Sequence, residues 1–344
     1  MSNQYLTDLH LAFNAAGGNA YRDIRAGLGR RLMGYAVVLG ESLIDLLEEE
    51  RDGELIYRQA IGGAPLNVSV GATKLGGEVH FAGTLGHDIL GDRLAQFLRT
   101  AGVGTRLLKR VPVPTTLAVT TFEGAEPTFT FYGEPPSYAL LEAADLDTGL
   151  LTGADVIYTG SICLLREPFL SAARAAWRVD GPLRVFDPNV RPTLLPDRAA
   201  IDALRELVEE FFATADLVKL SSADAEVLYD GATPVTAAEH ILKVGAKAVV
   251  VTCGSKGAYA AVPEGGTMLP APSVTAVDAT GAGDSVMGAL VRRLLADGMP
   301  ADLAGWERNV RFALAVAALV CERHGGAVAM PTQEELTSRW GALI

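Results

Sequence analysis

An α/β fold is the class this sequence predicts: a central, mostly parallel sheet with helices on both faces, plus a small β-sheet lid. Two observations predict it. From residue 153 onward, short apolar runs ending in polar residues alternate with helical patterns, as βα units of a parallel sheet do. Segments near 53–61 and 115–133 also read as strands, but no helical sequence beside them offers cover. They are therefore expected to form their own sheet over the crevice.

Taken in order, residues 1–33 read as an N-terminal extension, a helical or frayed arm, ahead of one domain at 34–344. Asp8 and Asp23 among small and polar residues suit no signal peptide, and Met33 is an alternative start. YAVVLG (35–40) is a buried strand running into Glu41, Ser42 and Asp45. GELIYRQAI (53–61) alternates as a half-exposed strand. GGAPLNVSVGATKLGG (62–77) is a glycine turn feeding a helix with Leu66, Val70 and Leu75 inward. Strand VHFAGTLG (79–86) and a helix over 88–102 follow. TTLAVTTF (115–122) and TFTFYG (128–133), separated by GAEP, predict a hairpin. DVIYTGS, LRVFDPN, LVKLSS and AVVVTCG are the parallel strands. Ligands of such sheets sit at the carboxyl ends, where Ser161, Asp187, Asn189, Ser221 and Thr252 collect.

VDATGAGDSVMGAL (277–290) is the stretch richest in chemistry. Gly281, Ala282 and Gly283 let backbone N–H groups close on an anion at the positive end of the next helix. Asp284 beside such a pocket repels the ligand, which makes sense if it takes a proton from an attacking hydroxyl. The plain alternative is an ordinary first-turn Asp, favourable by a few tenths to about 1 kcal/mol.

Composition limits the rest. The chain has 344 residues, 49% hydrophobic and 20% charged, with no Pro/Ser-rich or charged linker and no internal repeat, so one large domain with an appendage is expected. A net charge of −12 argues against nucleic acid or an acidic membrane surface as partner. Cys163, Cys253 and Cys321 lie far apart without metal-ligand spacing and read as reduced thiols. No apolar run reaches the roughly 18 residues of a membrane span, and a cytoplasmic location is expected.

On the motifs GGAPLNVSVGATKLGG and DATGAGDSVMGAL, in this order and separation, the chain resembles the ribokinase/PfkB carbohydrate kinases. Within them it looks most like fructokinases. GESLIDL (40–46), FDPNVRP (186–192), KLSSADAEVL (219–228) and VVVTCGSKGAY (249–259) match in order between them, and the likeness runs from about 34 to 335. The resemblance implies a ribokinase-like fold, Asp284 as catalytic base and the Gly281–Ala282–Gly283 turn as anion hole. It implies sugar binding by Asp45, Gly62, Gly63 and Asn67, whose types suit a polyol. Tyr132 would cover the sugar, or pack on its own hairpin. Arg191 would supply a cation, or a surface salt bridge.

On the nucleotide side the resemblance implies Thr252 and Gly254 near the phosphates, with Asn189, Lys219 and Ser221 supplying polar contacts. Gly257 would join them or merely permit a turn, and Ala313 and Ala317 would leave a small-residue surface for a purine. Asp224 and Glu226 match acidic positions that organise Mg²⁺ through water. Asp278 matches a position linked to a monovalent cation, most often K⁺; its alternative is a turn carboxylate. The family commonly pairs lid strands into a homodimer.

Departures matter. Many fructokinases carry an Arg after the lid Phe-Tyr and an acid five positions later; Gly133 and Tyr138 stand there. Leu314 replaces an Asn common near the nucleotide. The expected activity is ATP-dependent phosphorylation of a primary hydroxyl of a small sugar, fructose to fructose 6-phosphate first. 2-Keto-3-deoxygluconate, ribose, another ketose or a nucleoside are the alternative acceptors. A sugar or nucleotide sensor without turnover is the rival from another class, and a dehydrogenase is disfavoured because no GxGxxG follows the first strand.

Overall fold

The computed structural model describes residues 34–123 and 126–341; the extension expected at 1–33 lies outside them. Nine strands make the main sheet: β1 (Tyr35–Leu39), β4 (Glu78–Gly86), β5 (Gly104–Val111), β8 (Val156–Gly160), β9 (Leu183–Asp187), β10 (Leu217–Ser221), β11 (Val249–Thr252), β12 (Ala258–Val262) and β13 (Gly265–Leu269). Their order is β13-β12-β11-β10-β9-β8-β1-β4-β5. From β11 to β5 every pairing is parallel, and β12 and β13 add an antiparallel edge. β1 shows why helices must cover both faces. Ala36 and Val38 belong to one apolar cluster and Tyr35, Val37 and Leu39 to the other, as side-chain alternation demands.

The first face carries α1 (Ala64–Lys74), α8 (Ala282–Asp297) and α9 (Leu303–Cys321), with α2 (Ile89–Thr100) beside them. The second carries α4 (Phe169–Trp177), α5 (Arg198–Phe212) and α7 (Pro234–Val244). Shorter helices are α3 (Thr148–Gly153), α6 (Ser222–Leu228) and α10 (Gln333–Trp340). On α5, Leu204, Val208, Phe211 and Phe212 are buried while Glu206, Glu209 and Glu210 meet solvent to differing degrees, the stripe a surface helix needs.

A second sheet has four strands in the order β3-β2-β6-β7: β2 (Leu43–Arg51), β3 (Glu54–Gly62), β6 (Leu117–Glu123) and β7 (Glu126–Tyr132). The expected hairpin is β6–β7, and the expected strand at 53–61 is β3. The sequence reading missed β2, whose Glu-rich second half hides its alternation. It also missed β5, β12 and β13, which are short or basic strands near the sheet edges. β2 pairs antiparallel with β3 and parallel with β6, so the small sheet is mixed.

Candidate active site

The carboxyl ends of β1, β8 and β9 and the N-terminus of α8 meet under the small sheet around a cavity of about 700 Å³. Leu43, Asp45 and Leu47 of β2 with Ala118 and Thr120 of β6 line its roof, every second residue of each strand. Gly62, Gly63, Asn67, Ser161, Arg191, Gly281 and Asp284 line the rest.

Asp284 sits at the floor, in the first turn of α8. Asn67 Nδ2 donates to its Oδ2 (2.7 Å) and Asn189 Nδ2 to its Oδ1 (3.3 Å), so two amides from different elements fix the plane of the carboxylate. The closeness of α1 and α8 makes this possible. Gly71 lies one turn beyond Asn67 and Gly288 one turn beyond Asp284, on the same helix faces. A Cβ on Gly288 would sit 3.0 Å from the Val68 carbonyl and 3.1 Å from the Ala72 nitrogen.

The turn before α8 needs its glycines. Gly281 has φ +76°, and a Cβ there would lie 2.8 Å from Gly326 Cα. The first intrahelical donor is Ser285, whose N–H reaches the Gly281 carbonyl (2.8 Å). The N–H groups of Gly283 and Asp284 precede it and are offered beyond the helix end, where an anion is favoured. Ala282 differs from expectation: its N–H donates to the Ala279 carbonyl (3.1 Å), closing the turn.

Beneath this turn lies a buried charge network. Lys219 Nζ donates to Asp187 Oδ2 (2.8 Å), both groups being nearly inaccessible, and Asp187 Oδ1 accepts the Asn189 N–H (3.1 Å). Burial alone would lower the Lys219 ammonium, but the Asp187, Asp284 and Asp224 carboxylates around it lift it above its ordinary value. Asn189 itself adopts φ +40°, an uncommon conformation for a non-glycine residue held here from both sides. Lys219 was expected to supply a positive or polar contact to phosphate. The structure places it beneath the glycine turn, where a Cβ on Gly283 would be 3.2 Å from Nζ.

The sugar-binding candidates come together. Asp45 on β2 faces Gly62 on β3, where a Cβ would meet Asp45 Oδ2 at 2.0 Å, so only glycine leaves the carboxyl its place. Burial pushes the Asp45 carboxyl up to about 6, against the pull of Arg191. Arg191 Nη1 donates to the carbonyls of Asn189 (3.3 Å) and Val190 (3.2 Å) and to the Asn189 side chain. Tyr132 is a correction. It is 55% exposed on the opposite face of β7, and its neighbour Phe131 lines the cavity, because successive residues of a strand face opposite ways.

The nucleotide and metal candidates spread along the ends of β10 and β11. Ser221 and Thr252 are cross-strand neighbours there. Ser221 caps α6: its Oγ accepts the Asp224 N–H (3.0 Å) and Asp224 Oδ2 accepts the Ser221 N–H (2.8 Å). Asp224 Oδ1 also accepts the Val190 N–H (3.0 Å), clamping the segment after β9. Asp224 is therefore buried and bonded rather than an exposed helix carboxylate, whereas Glu226, two residues on, faces solvent away from it. Gly254 has φ +56° and open space beside it. Gly257 is a turn glycine, since a Cβ would lie 1.9 Å from the Leu269 carbonyl. Ala313 is fully buried in the core and offers no surface; Ala317, one turn on, is half-buried. Asp278 accepts the N–H groups of Thr280 (2.8 Å) and Gly325 (2.8 Å), tying the turn before α8 to the loop after α9. No group of three His, Cys, Asp or Glu suited to a metal occurs among the described residues.

Sequence reasoning passed over Phe131 and Thr120 as site residues, and it named Ser161 and Glu41 only as polar residues at strand ends, without a role of their own. For the first two the signal was the strand alternation itself.

Known proteins carry the same architecture. Fructokinase-2 of Solanum habrochaites is 33% identical over 321 residues, 89% of this chain and 96% of that protein. A fructokinase from Xylella fastidiosa, solved with bound ATP, superposes with a TM-score of 0.79 at 28% identity, covering 89% of this chain and 98% of that one. The aminoimidazole riboside kinase of Salmonella enterica, solved with aminoimidazole riboside and an ATP analogue, gives 0.78 at 26% identity over 90% of this chain and 100% of that one. The family model described as pfkB family carbohydrate kinase matches residues 33–333. The fold is thus ribokinase-like, and this chain belongs to the pfkB family of carbohydrate kinases and is a sugar phosphotransferase.

Proposed function

We propose that the protein transfers the γ-phosphoryl group of ATP to a primary hydroxyl of a small sugar, with fructose to fructose 6-phosphate as the leading reaction. The observation that carries this is Asp284: a carboxylate held by two amides at the floor of a cavity with room for a sugar, beside the N–H groups that open a helix. Asp284 accepts the hydroxyl proton, while the amides of Gly283 and Asp284 and the Lys219 ammonium beneath them favour charge on the transferring group. Asp45, Asn67 and the Gly62–Gly63 turn orient the hydroxyls, and closure of the small sheet excludes water. Thr252 and Gly254, at an open sheet end, suit the nucleotide phosphates. Mg²⁺ would be carried chiefly by phosphates and waters, with Asp224 ordering those waters, and when bound it would neutralise phosphate charge. K⁺ at Asp278 and a cytoplasmic location belong to the same reading, the latter resting on three free thiols.

The similarity to a fructokinase of Vibrio cholerae O395 solved with fructose, ADP and calcium supports the sugar and nucleotide sites (28% identity, TM-score 0.78, 89% of this chain and 98% of that one). One observation favours a second acceptor class. Gly133 and Tyr138 line a further cavity of about 690 Å³ that shares Phe131, Ile162 and Thr193 with the first, leaving room for a substituent on the sugar. A riboside carrying a planar ring is such an acceptor.

The test is ADP release with ATP and Mg²⁺ across fructose, ribose, 2-keto-3-deoxygluconate and ribosides, with Na⁺ and then K⁺. Fructose is expected to give the highest kcat/KM. Preference for a riboside moves the reaction to the second class, and binding without turnover makes the chain a sensor.

A further inference from the structure

Glu41 plays no part in the mechanism above, yet it lies two residues past β1 and is 2% exposed against the acceptor end of the cavity. Its Oε1 accepts two hydrogen bonds from different walls. One comes from the N–H of Ala64 (3.2 Å), which opens α1 after the Gly62–Gly63 turn, and the other from Ser161 Oγ (2.7 Å), which follows β8. The backbone takes a positive φ at both ends of this tie, which costs glycine nothing but strains a serine. Gly63 has φ +112°, and Ser161, a non-glycine residue, has φ +69°. Glu41 Oε2 is enclosed without a hydrogen-bond partner. A mere helix cap would be served by Ser, Thr or Asn at less cost in desolvation.

We propose that Glu41 is a positioning residue for the sugar acceptor: it ties the Gly62–Gly63 turn to the Ser161 turn and so fixes the spacing of two walls that grip one ligand. This rests on the sugar-kinase reading for its kinetic consequence, since the walls it joins line the acceptor pocket and not the nucleotide end. Burial raises the Glu41 carboxyl, and the Ser161 hydroxyl and the more distant Arg191 only partly oppose this. Cys163, Tyr138 and Tyr158 are the other titratable groups facing it, and none brings a positive charge. Glutamine, which keeps the accepting oxygen and carries no charge, is therefore its nearest replacement.

The experiment compares Glu41→Gln, Glu41→Leu and Ser161→Ala in the full chain, using whichever acceptor the wild type turns over best. Glu41→Leu is expected to raise acceptor KM about tenfold or more while KM for ATP stays within about twofold, and Glu41→Gln to restore acceptor KM to within about threefold. Ser161→Ala, which cuts one tie from the other side, raises acceptor KM in the same sense and serves if the leucine chain does not fold. Equal rises in both KM values, or a lower Tm with both unchanged, overturn the proposal. If the wild type turns over no acceptor, the reaction reading fails by itself. Hydrogen exchange at the Ala64 amide then decides for Glu41: protection lost in Glu41→Leu and regained in Glu41→Gln supports the tie, and protection unchanged in Glu41→Leu overturns it.

Discussion

Asp284 has two amide donors, and this makes its substitution a clean test. In Asp284→Asn one new amide hydrogen faces an Asn side chain, but Asn67 Oδ1 is buried and unpartnered, so a flip of that amide supplies an acceptor. The variant is expected to keep its Tm within a few degrees and to lose about two orders of magnitude or more in kcat, the scale of general-base catalysis. Steady-state ADP release checks it, and retained turnover removes Asp284 from the role. Asp45 predicts a pH effect. Its carboxyl is raised to about 6 by burial, so it is ionised above that pH and protonated below. Acceptor KM should therefore rise as pH falls through 6, with little change in KM for ATP. The sign for stability is opposite: ionising Asp45 costs the folded state relative to the unfolded, so Asp45→Asn should raise Tm at pH 7 while weakening acceptor binding. A lower Tm there contradicts this electrostatic account.

At the scale of elements, the contact of α1 with α8 builds the site. Both helices carry a polar residue and, one turn later, a glycine, and the glycine pair lets the backbones close until Asn67 reaches Asp284. An Ala in place of a helix-interior Gly normally adds up to about 1 kcal/mol. Gly288→Ala should do the reverse, because its Cβ has backbone at 3.0 and 3.1 Å that cannot move aside as a flexible side chain would. The expected outcome is a lower Tm and a fall in kcat that exceeds any rise in KM, read by calorimetry and initial rates. A stabilised variant would show that the helices have slack.

The whole molecule is a main sheet with a roof whose outer edges are open. β3 and β7 end the small sheet, and Leu55 and Tyr57 on β3 and Tyr132 on β7 are exposed. Unpaired edges with apolar side chains invite a second copy, and a homodimer through these strands is our proposal. Light scattering at micromolar concentration should give twice the 36.1 kDa of one chain, and Leu55→Lys with Tyr132→Lys should return it to one. A wild type that scatters as a single chain removes the dimer. Among the described residues no helix is long and apolar enough to cross a membrane.

Read by itself, the sequence determined the parallel sheet, the helices on both faces, the β6–β7 hairpin and the turn before α8. Hydrophobic period and glycine placement are local properties, and they survive folding unchanged. It also brought forward Asp284 from the chemistry of its motif, and Asn67 and the Gly62–Gly63 turn through the family resemblance; the structure gathers them around one cavity. Only the tertiary structure decided which face of β7 looks inward, and so exchanged Tyr132 for Phe131. It alone put Lys219 beneath the anion turn against Asp187, folded Asp224 into a cap and clamp, and buried Ala313. The place of Lys219 and the clamp made by Asp224 depend on Asp187 and Val190, 32 and 34 positions away in the chain, and no local window of sequence contains both members of either pair.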